Sequence, residues 1–555
     1  MDWLEAPTPE PVGALLAGGL PTLTAGVLAR RGIESAEAAR RFLSPSRDQL
    51  LDPLTLSGMQ AAVTRLAQAI REGQRVVIVG DYDADGISSA ALLSAVFRAC
   101  GLDVETLLPH RERDGYGLGR RQIEQAHQLG GGLVVAVDCG TNDRRAAEYC
   151  LELGIDLIVV DHHLPDDELP PEVVLINPLK AGCDYPFKRL AAAGLSLKLC
   201  LALGGHVGRD LPVDGLLRIA SLGTIADMVP LIGENRVIAS LGLAALGSVR
   251  SPGLIALMDA ANVKRPVTAD DVAFRIAPRI NAAGRIDEPS LALATLLSRD
   301  PAESRQLARR LDELNSRRRE LEAQVVETAR QRFLELGTLP PILVEWDADW
   351  SRGVVGIAAG RLAREFCRPT VLLAVAGELA VGSGRSIDGI HLHDFLSRWS
   401  PRLRGFGGHS QAIGLSAEVD RLAELRDEWI AGAAAWSPEL FERRREYEYW
   451  IHDPAELPAI VEELEALEPF GSGHPRPLFR LGPLDPCGSL RDFGDDHLEV
   501  RATAGGGAEV RLVAWRWADR RRIFMNTFEA LGAVEFDDYL RQPIVRVVDA
   551  RTWDE

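Results

Sequence analysis

The run Val76-Val77-Ile78-Val79-Gly80 leads into Asp81-Tyr82-Asp83-Ala84-Asp85-Gly86, so four apolar β-formers and a glycine deliver three carboxylates at alternate positions. A continuous Val/Ile run reads as a strand buried on both faces, the habit of parallel sheets. In open α/β sheets, ligands bind beyond the carboxyl ends of the strands. Three carboxylates crowded there repel one another unless a cation neutralises them. One such cluster alone is matched equally well by a surface turn with solvated acids.

Two further clusters shift that balance. Leu133-Val134-Val135-Ala136-Val137 runs into Asp138-Cys139-Gly140-Thr141-Asn142, and Ile155-Asp156-Leu157-Ile158-Val159-Val160 runs into Asp161-His162-His163. Helices are expected between these runs, over roughly 87–100, 118–129 and 143–152. The alternation predicts a parallel sheet that brings the strand ends to one edge. Gly223-Thr224-Ile225-Ala226-Asp227-Met228-Val229-Pro230 is read as a fourth such end, with Asp227 as a ligand candidate. Mixed carboxylate and imidazole donors suit Mn²⁺ or a related transition ion better than an all-oxygen calcium cage. Singly, His162 or Asp227 reads as an ordinary hydrogen-bonded residue; together they read as a metal site.

A chain of 555 residues is too long for one core, and about three or four domains are expected. Hydrophobic residues at 46% and charged residues at 26% describe a soluble globular protein. No apolar stretch is long and charge-free enough to span a bilayer, and Met1-Asp2-Trp3-Leu4-Glu5 lacks a basic signal-peptide start, so a cytoplasmic protein with no membrane partner is expected. The seven cysteines include no Cys-x-x-Cys pair, which argues against a zinc ribbon or disulfide scaffold. Cys139 reads as a small packed thiol rather than a nucleophile. The net charge of −18 argues against nonspecific coating of nucleic acid. Arginine outnumbers lysine, however, and its bidentate phosphate contacts leave a local basic groove open.

Residues 241–300 look helical but for Phe274–Arg285, where Pro278 and Gly284 break the periodicity and Arg275, Arg279, Asn281 and Arg285 offer phosphate donors or loop-tying hydrogen bonds. Residues 301–335 predict a long helix with an apolar stripe at Leu307, Leu311, Leu314, Leu321 and Val325. Arg318 falls on that stripe, one turn after Asn315. It either pairs with Glu322 at i+4 or aims into a groove holding phosphates. A second α/β unit follows from Ile342, with Ser351–Ala359 opening a helix as an anion seat. Two glycine-rich turns are expected: Gly382–Ser386, with Arg385 as a fork, and Gly407-Gly408-His409. Beyond Glu468–Pro477, a rigid crossing, short strands at Leu478–Leu481, His497–Ala502, Glu509–Trp515, Ile523–Phe528 and Gln542–Val548 suggest a small barrel. Trp515 and Trp517 share a face if the strand continues that far, and the core is the favoured destination of that face.

Asp81–Gly86, Asp138-Cys139-Gly140, Asp161-His162-His163 and Asp227 resemble the four ordered motifs of the DHH phosphoesterase superfamily, and Gly382–Ser386 with Gly407-Gly408-His409 resembles its accessory DHHA1 domain. In length and motif order the chain is similar to the RecJ family of single-strand-specific exonucleases, from about Asp81 to Phe479. The resemblance implies an α/β fold: a parallel-sheet DHH domain and a smaller DHHA1 domain joined by a long helix, then an OB-type β-barrel. The expected divisions are a helical lead-in at 1–50, a DHH catalytic domain with helical extension at 51–300, a connecting helix at 301–336, a DHHA1 substrate-binding domain at 337–450 and an OB fold at 451–555.

The implied activity is metal-dependent hydrolysis of single-stranded DNA from the 5′ end to mononucleotides, in repair and recombination. Two divalent ions, Mn²⁺ first and Mg²⁺ second, would lie roughly 3.5–4 Å apart. Asp138 would bridge them, with Asp81 and Asp83 on one and Asp85, His162 and Asp227 on the other. The superfamily often carries a histidine where Val79 stands here, four residues before Asp83, and Asp81 is taken as its substitute. His163 completes the expected catalytic set as a contact to the scissile phosphate, and Asp161 would orient a neighbouring imidazole. Substrate contacts are implied for Arg111, Ser383 and Arg385 at the 5′-phosphate, for Arg279, Asn281, Arg285, Asn315 and Arg318 along the strand's path, and for Gly408 and His409. A monomer is expected, with single-stranded-DNA-binding protein and a helicase as further family partners. Two other readings share the metal motifs: a phosphoesterase of short oligonucleotides or cyclic dinucleotides, and a non-catalytic nucleic-acid scaffold.

Overall fold

The computed structural model of the chain describes residues 2–110, 115, 117–166, 168–494, 496–505, 507–537 and 539–553. Its first sheet has five strands, all parallel, in the order Asp103–Leu107, Arg75–Gly80, Gly131–Val137, Asp156–Val160, Val174–Ile176. The apolar runs split by the period of two. Val76, Ile78, Leu133, Val135, Ile158 and Val160 enter the large core on one face. Val77, Val79, Val134, Ala136, Leu157 and Val159 fill a smaller core on the other. Helices Ala84–Ala99, Arg120–Gln128 and Arg144–Glu152 make the crossovers. The two outer strands escape sequence pattern because Asp-Val-Glu-Thr-Leu and a three-residue Val-Leu-Ile are weak signals.

The segment expected to interrupt the helical extension does not. Val272–Ile276 forms a π-helical turn that runs directly into the α-helix Ala277–Ile286, with Pro278 in its first turn. The wider π-helical turn just before Pro278 makes room for its ring and its missing donor, so the helical path continues through it. The helix Pro301–Glu335 starts where its Asp300 cap accepts from Ala302 N at 2.9 Å and Glu303 N at 2.7 Å. Its 35 residues span about 50 Å. Leu311 and Leu314 belong to the first domain's core, whereas Val325, Val326, Ala329 and Phe333 belong to the second's. One helix thereby joins two cores.

The second domain carries a mixed sheet in the order Gly405–His409, Ala412–Glu418, Leu379–Arg385, Thr370–Ala376, Leu343–Asp347. Both glycine-rich segments expected as turns are strands in it, with Ser383 opposite Gly414 and Gly408 opposite Ile413. Glycine serves close approach here: a Cβ on Gly382 would stand 2.2 Å from the Leu372 carbonyl oxygen.

The last unit is a seven-stranded sheet, and pairing of Phe479–Pro486 with His497–Thr503 brings it round towards a barrel. Ile523–Phe528 is not a strand; Ala518–Met525 is 3₁₀-helical and the strand begins at Phe528. The preceding strand stops at Ala514, and Arg516 at φ 63° breaks the alternation. Trp517 is therefore core while Trp515 is half exposed against Phe493 and His497. The N-terminal helices Thr22–Arg30 and Ala36–Leu43 pack into this same core with helix Leu457–Leu467, and strand Asp2–Glu5 pairs with Arg444–Tyr447. Arg236, 2% exposed, locks this unit to the first domain by donating to the carbonyls of Phe42, Leu467, Glu468 and Pro469.

Candidate metal centre

The parallel ladder continues one step past three strand ends. Asp81 N donates to Val137 O at 3.3 Å, Asp138 N to Val160 O at 3.0 Å and Asp161 N to Ile176 O at 3.1 Å. The three acids therefore leave the sheet at one level. Chain order reverses between Arg75–Gly80 and Gly131–Val137, the point at which open sheets leave a crevice. Asp138 sits on that crevice at φ 59°, a left-handed conformation that aspartate tolerates better than most residues.

Each side chain is set by its local structure. Asp83 caps helix Ala84–Ala99, accepting from Asp85 N at 2.9 Å and Gly86 N at 3.1 Å. Asp85 is 1% exposed and accepts from Ala192 N and Ala193 N at the start of helix Ala192–His206. Asp161 commits both oxygens within the site: one accepts from His162 N, His163 N and His163 Nδ1, the other from Thr141 N. It orients His163, at 2.7 Å, rather than offering itself outward. Asp227 does not stand at a strand end. It closes helix Val213–Ala226, and Met228 at φ 59° turns the chain away. The apolar Gly223–Ala226 run is a buried helix, which a short apolar run cannot reveal by periodicity.

Candidate ligand atoms of Asp81, Asp83 and Asp138 lie within 4.8 Å of one another, as do those of Asp85, His162 and Asp227. His162 Nε2 stands 3.3 Å from Asp138 Oδ1 and 3.7 Å from Asp227 Oδ2. That nitrogen is buried and makes no hydrogen bond. An unbonded imidazole nitrogen among clustered carboxylates is the donor set a divalent transition ion takes. Val79 is fully buried in the apolar core below and offers no donor to the site.

Burial and the neighbouring Asp83 push the Asp85 carboxyl up to about 7. Burial and Asp85 push Asp227 to about 9, and Asp138 is held well above its usual range by burial and the surrounding acids. Burial opposes the charge on His163, but its bond to Asp161 prevails and raises it to about 9. Burial and the charge of His163 lower His162 to about 4. Groups raised on folding hold protons that the unfolded chain has lost, so stability falls as pH rises through that window. Metal-free protein is expected to melt lower at pH 9 than at pH 6.5, through Asp227, His163 and Asp138. Added Mn²⁺ should restore more at the higher pH. Equal melting at both pH values in chelator would contradict this charge arrangement.

The expected substrate residues divide by surroundings. Arg111 lies outside the described residues. Asn281 Oδ1 accepts from Ala84 N at 2.7 Å, and a Cβ on Gly284 would lie 2.3 Å from Tyr82 O, so this helix braces the first ligand loop. Arg279 is bound to Asp312, and Arg285 reaches Gly353 O in the second domain. Asn315 is buried with Oδ1 unbonded, and Arg318 has a buried Nε without a partner. Arg318 does not pair with Glu322, which lies nearer Arg361. In the second domain Arg385 donates to Ser383 Oγ at 2.7 Å, and both face Gly356 at the start of helix Val355–Phe366. His409 is exposed, and its charge is among those lowering His162 across the cleft. Thr141 and Asn177 were not singled out by sequence. Asn177 follows a short apolar run, the one signal that could have marked it.

Comparison with known proteins agrees across the three domains. The model for the DHH family, N-terminal domain, matches residues 75–224, the DHHA1 domain 339–432 and the RecJ OB domain 455–547. The single-stranded-DNA-specific exonuclease RecJ of Escherichia coli is 38% identical over 530 residues, covering 89% of each chain. The crystal structure of RecJ in complex with Mn²⁺ from Thermus thermophilus matches with a TM-score of 0.85 and 30% identity over 99% of this chain and 79% of that one. The Mg²⁺ complex from the same organism matches at 0.79 and 28%, over 99% and 78%. The ligand-bearing crevice thus sits in a three-domain frame shared with these proteins, and the chain belongs to the RecJ family.

Proposed function

We propose that the chain is a metal-dependent exonuclease that hydrolyses single-stranded DNA from the 5′ end to mononucleotides, in DNA repair and recombination. The observation that carries this reading is the convergence of five carboxylates and His162 on one crevice, in a chain of the RecJ family. Mn²⁺ or Mg²⁺ supplies, when bound, charge neutralisation on the phosphate and an acidified water for in-line attack. Asp81, Asp83 and Asp138 would hold one ion, and Asp85, His162 and Asp227 with Asp138 the other. His163, whose ring Asp161 fixes through Nδ1, would donate to the scissile phosphate. Arg318, without an ion-pair partner among the described residues, would meet the strand between the two domains. Asn315 and Arg285 would line the same path, and Gly408 and His409 would close over it.

Ser383 and Arg385 would take the 5′-phosphate, beside the N–H groups opening helix Val355–Phe366. Losing a charge-assisted contact costs roughly 1.5–3 kcal/mol. Arg385→Ala is therefore expected to raise KM for 5′-phosphorylated strands about 10- to 100-fold, with hydrolysis of small model diesters preserved. Equal loss of both would remove the pocket from Arg385. Among rival substrates, short oligonucleotides would need neither the barrel nor the 35-residue helix. A helicase that frees the strand and single-stranded-DNA-binding protein that coats it are the partners proposed, for a monomer in the cytoplasm. No helix is long and apolar enough to cross a membrane among the described residues. The test is a long strand labelled at one end, digested with Mn²⁺. Early release of 5′ label as mononucleotide is expected; release of 3′ label first would overturn the direction, and an inert protein the activity.

A further inference from the structure

The fifth strand of the catalytic sheet, Val174–Ile176, ends in neither a carboxylate nor an imidazole but in Asn177. We propose that Asn177 is a positioning residue of the metal centre, clamping the loop that carries Asp138 to the loop that carries His162 and His163. Its carboxamide is fully buried. Nδ2 donates to Thr141 Oγ1 at 3.1 Å and to His163 O at 2.8 Å, and Oδ1 accepts from Leu179 N at 2.8 Å. Thr141 N in turn donates to Asp161 Oδ2 at 3.1 Å, and Asp161 Oδ1 accepts from His163 N and Nδ1. The bonds close a ring: Asn177, Thr141, Asp161, His163 and back to Asn177.

The ring demands an amide. Two donors must face two oxygens, and one acceptor must face an N–H, on a single planar group. Aspartate offers no donor, and leucine would strip all three partners. The clamp also answers a local need. Asp138 lies three residues before Thr141 in a left-handed conformation, and such a residue persists only where its surroundings fix it. Residues that orient ligands from behind typically govern metal affinity about 10- to 100-fold.

The proposal rests on the metal-site reading, and titration of the full-length metal-free protein with Mn²⁺ by calorimetry separates the two. For Asn177→Ala we expect a dissociation constant weakened about 10- to 100-fold, with activity returning when Mn²⁺ is raised past it. Asn177→Asp should behave alike, since it keeps the Leu179 contact but sets a carboxylate oxygen against the His163 carbonyl, which can only accept. A wild-type dissociation constant in either variant would overturn the clamp. Absence of Mn²⁺ binding by the wild type would instead overturn the metal site. Should neither variant fold, Thr141→Val decides: it removes one acceptor of the ring and should weaken Mn²⁺ binding, and unchanged binding would sink the proposal.

Discussion

Asp138→Asn is expected to lower nucleotide release about 10³-fold or more and, unusually for an inactivating change, to leave the metal-free protein at least as stable as the wild type. Asp138 belongs to the Asp81–Asp83 group and stands 3.3 Å from His162 Nε2 of the other group. Losing its charge removes several kcal/mol of stabilisation from a two-ion site, and about 1.4 kcal/mol is tenfold in rate. Asparagine keeps the left-handed backbone that Asp138 adopts, so the substitution tests charge rather than folding. In the absence of ions the same charge is a burden, because Asp85, Asp83, Asp81 and Asp227 all surround it. Removing it relieves that repulsion, so stability is gained where activity is lost. Activity within tenfold of wild type would take Asp138 out of the bridge.

Arg236→Ala is expected to be the most damaging change far from the chemistry, at about 4 kcal/mol or more. Four carbonyls in a dry seam lose their donor, and each unsatisfied buried group costs roughly 1–3 kcal/mol. The guanidinium also lies 3.7 Å over the Phe42 ring. Burial lowers Arg236 only to about 9, so it stays charged at neutral pH. Because the residue joins the first domain, the N-terminal helices and the barrel at one point, the variant should show early separate unfolding of the barrel unit. Limited proteolysis near Glu468–Pro477 would read this out. Protection there equal to wild type would show that the seam is held by packing alone.

The two predictions fall on opposite sides of what sequence can record. The strands beneath Asp81, Asp138 and Asp161 were legible because a strand buried on both faces must be apolar without a break. The helix Pro301–Glu335 was legible because its stripe keeps helical spacing over many turns. Acids at the ends of those strands then follow from chain connectivity, since parallel strands share one direction. Those features are local, and the sequence by itself determined them.

What only the tertiary structure decided involves partners distant in the chain. Asp227 reaches the crevice from a helix, the N-terminal helices pack on a barrel more than four hundred residues away in sequence, and Asn281 and Asn177 use their amides to brace ligand loops. A local pattern reports that a residue is buried or turns the chain, but not which group it will meet. An asparagine or an arginine has the same sequence signature whether it faces DNA, a carbonyl or water. Packing chooses among them, because every buried donor and acceptor has to find its partner at once.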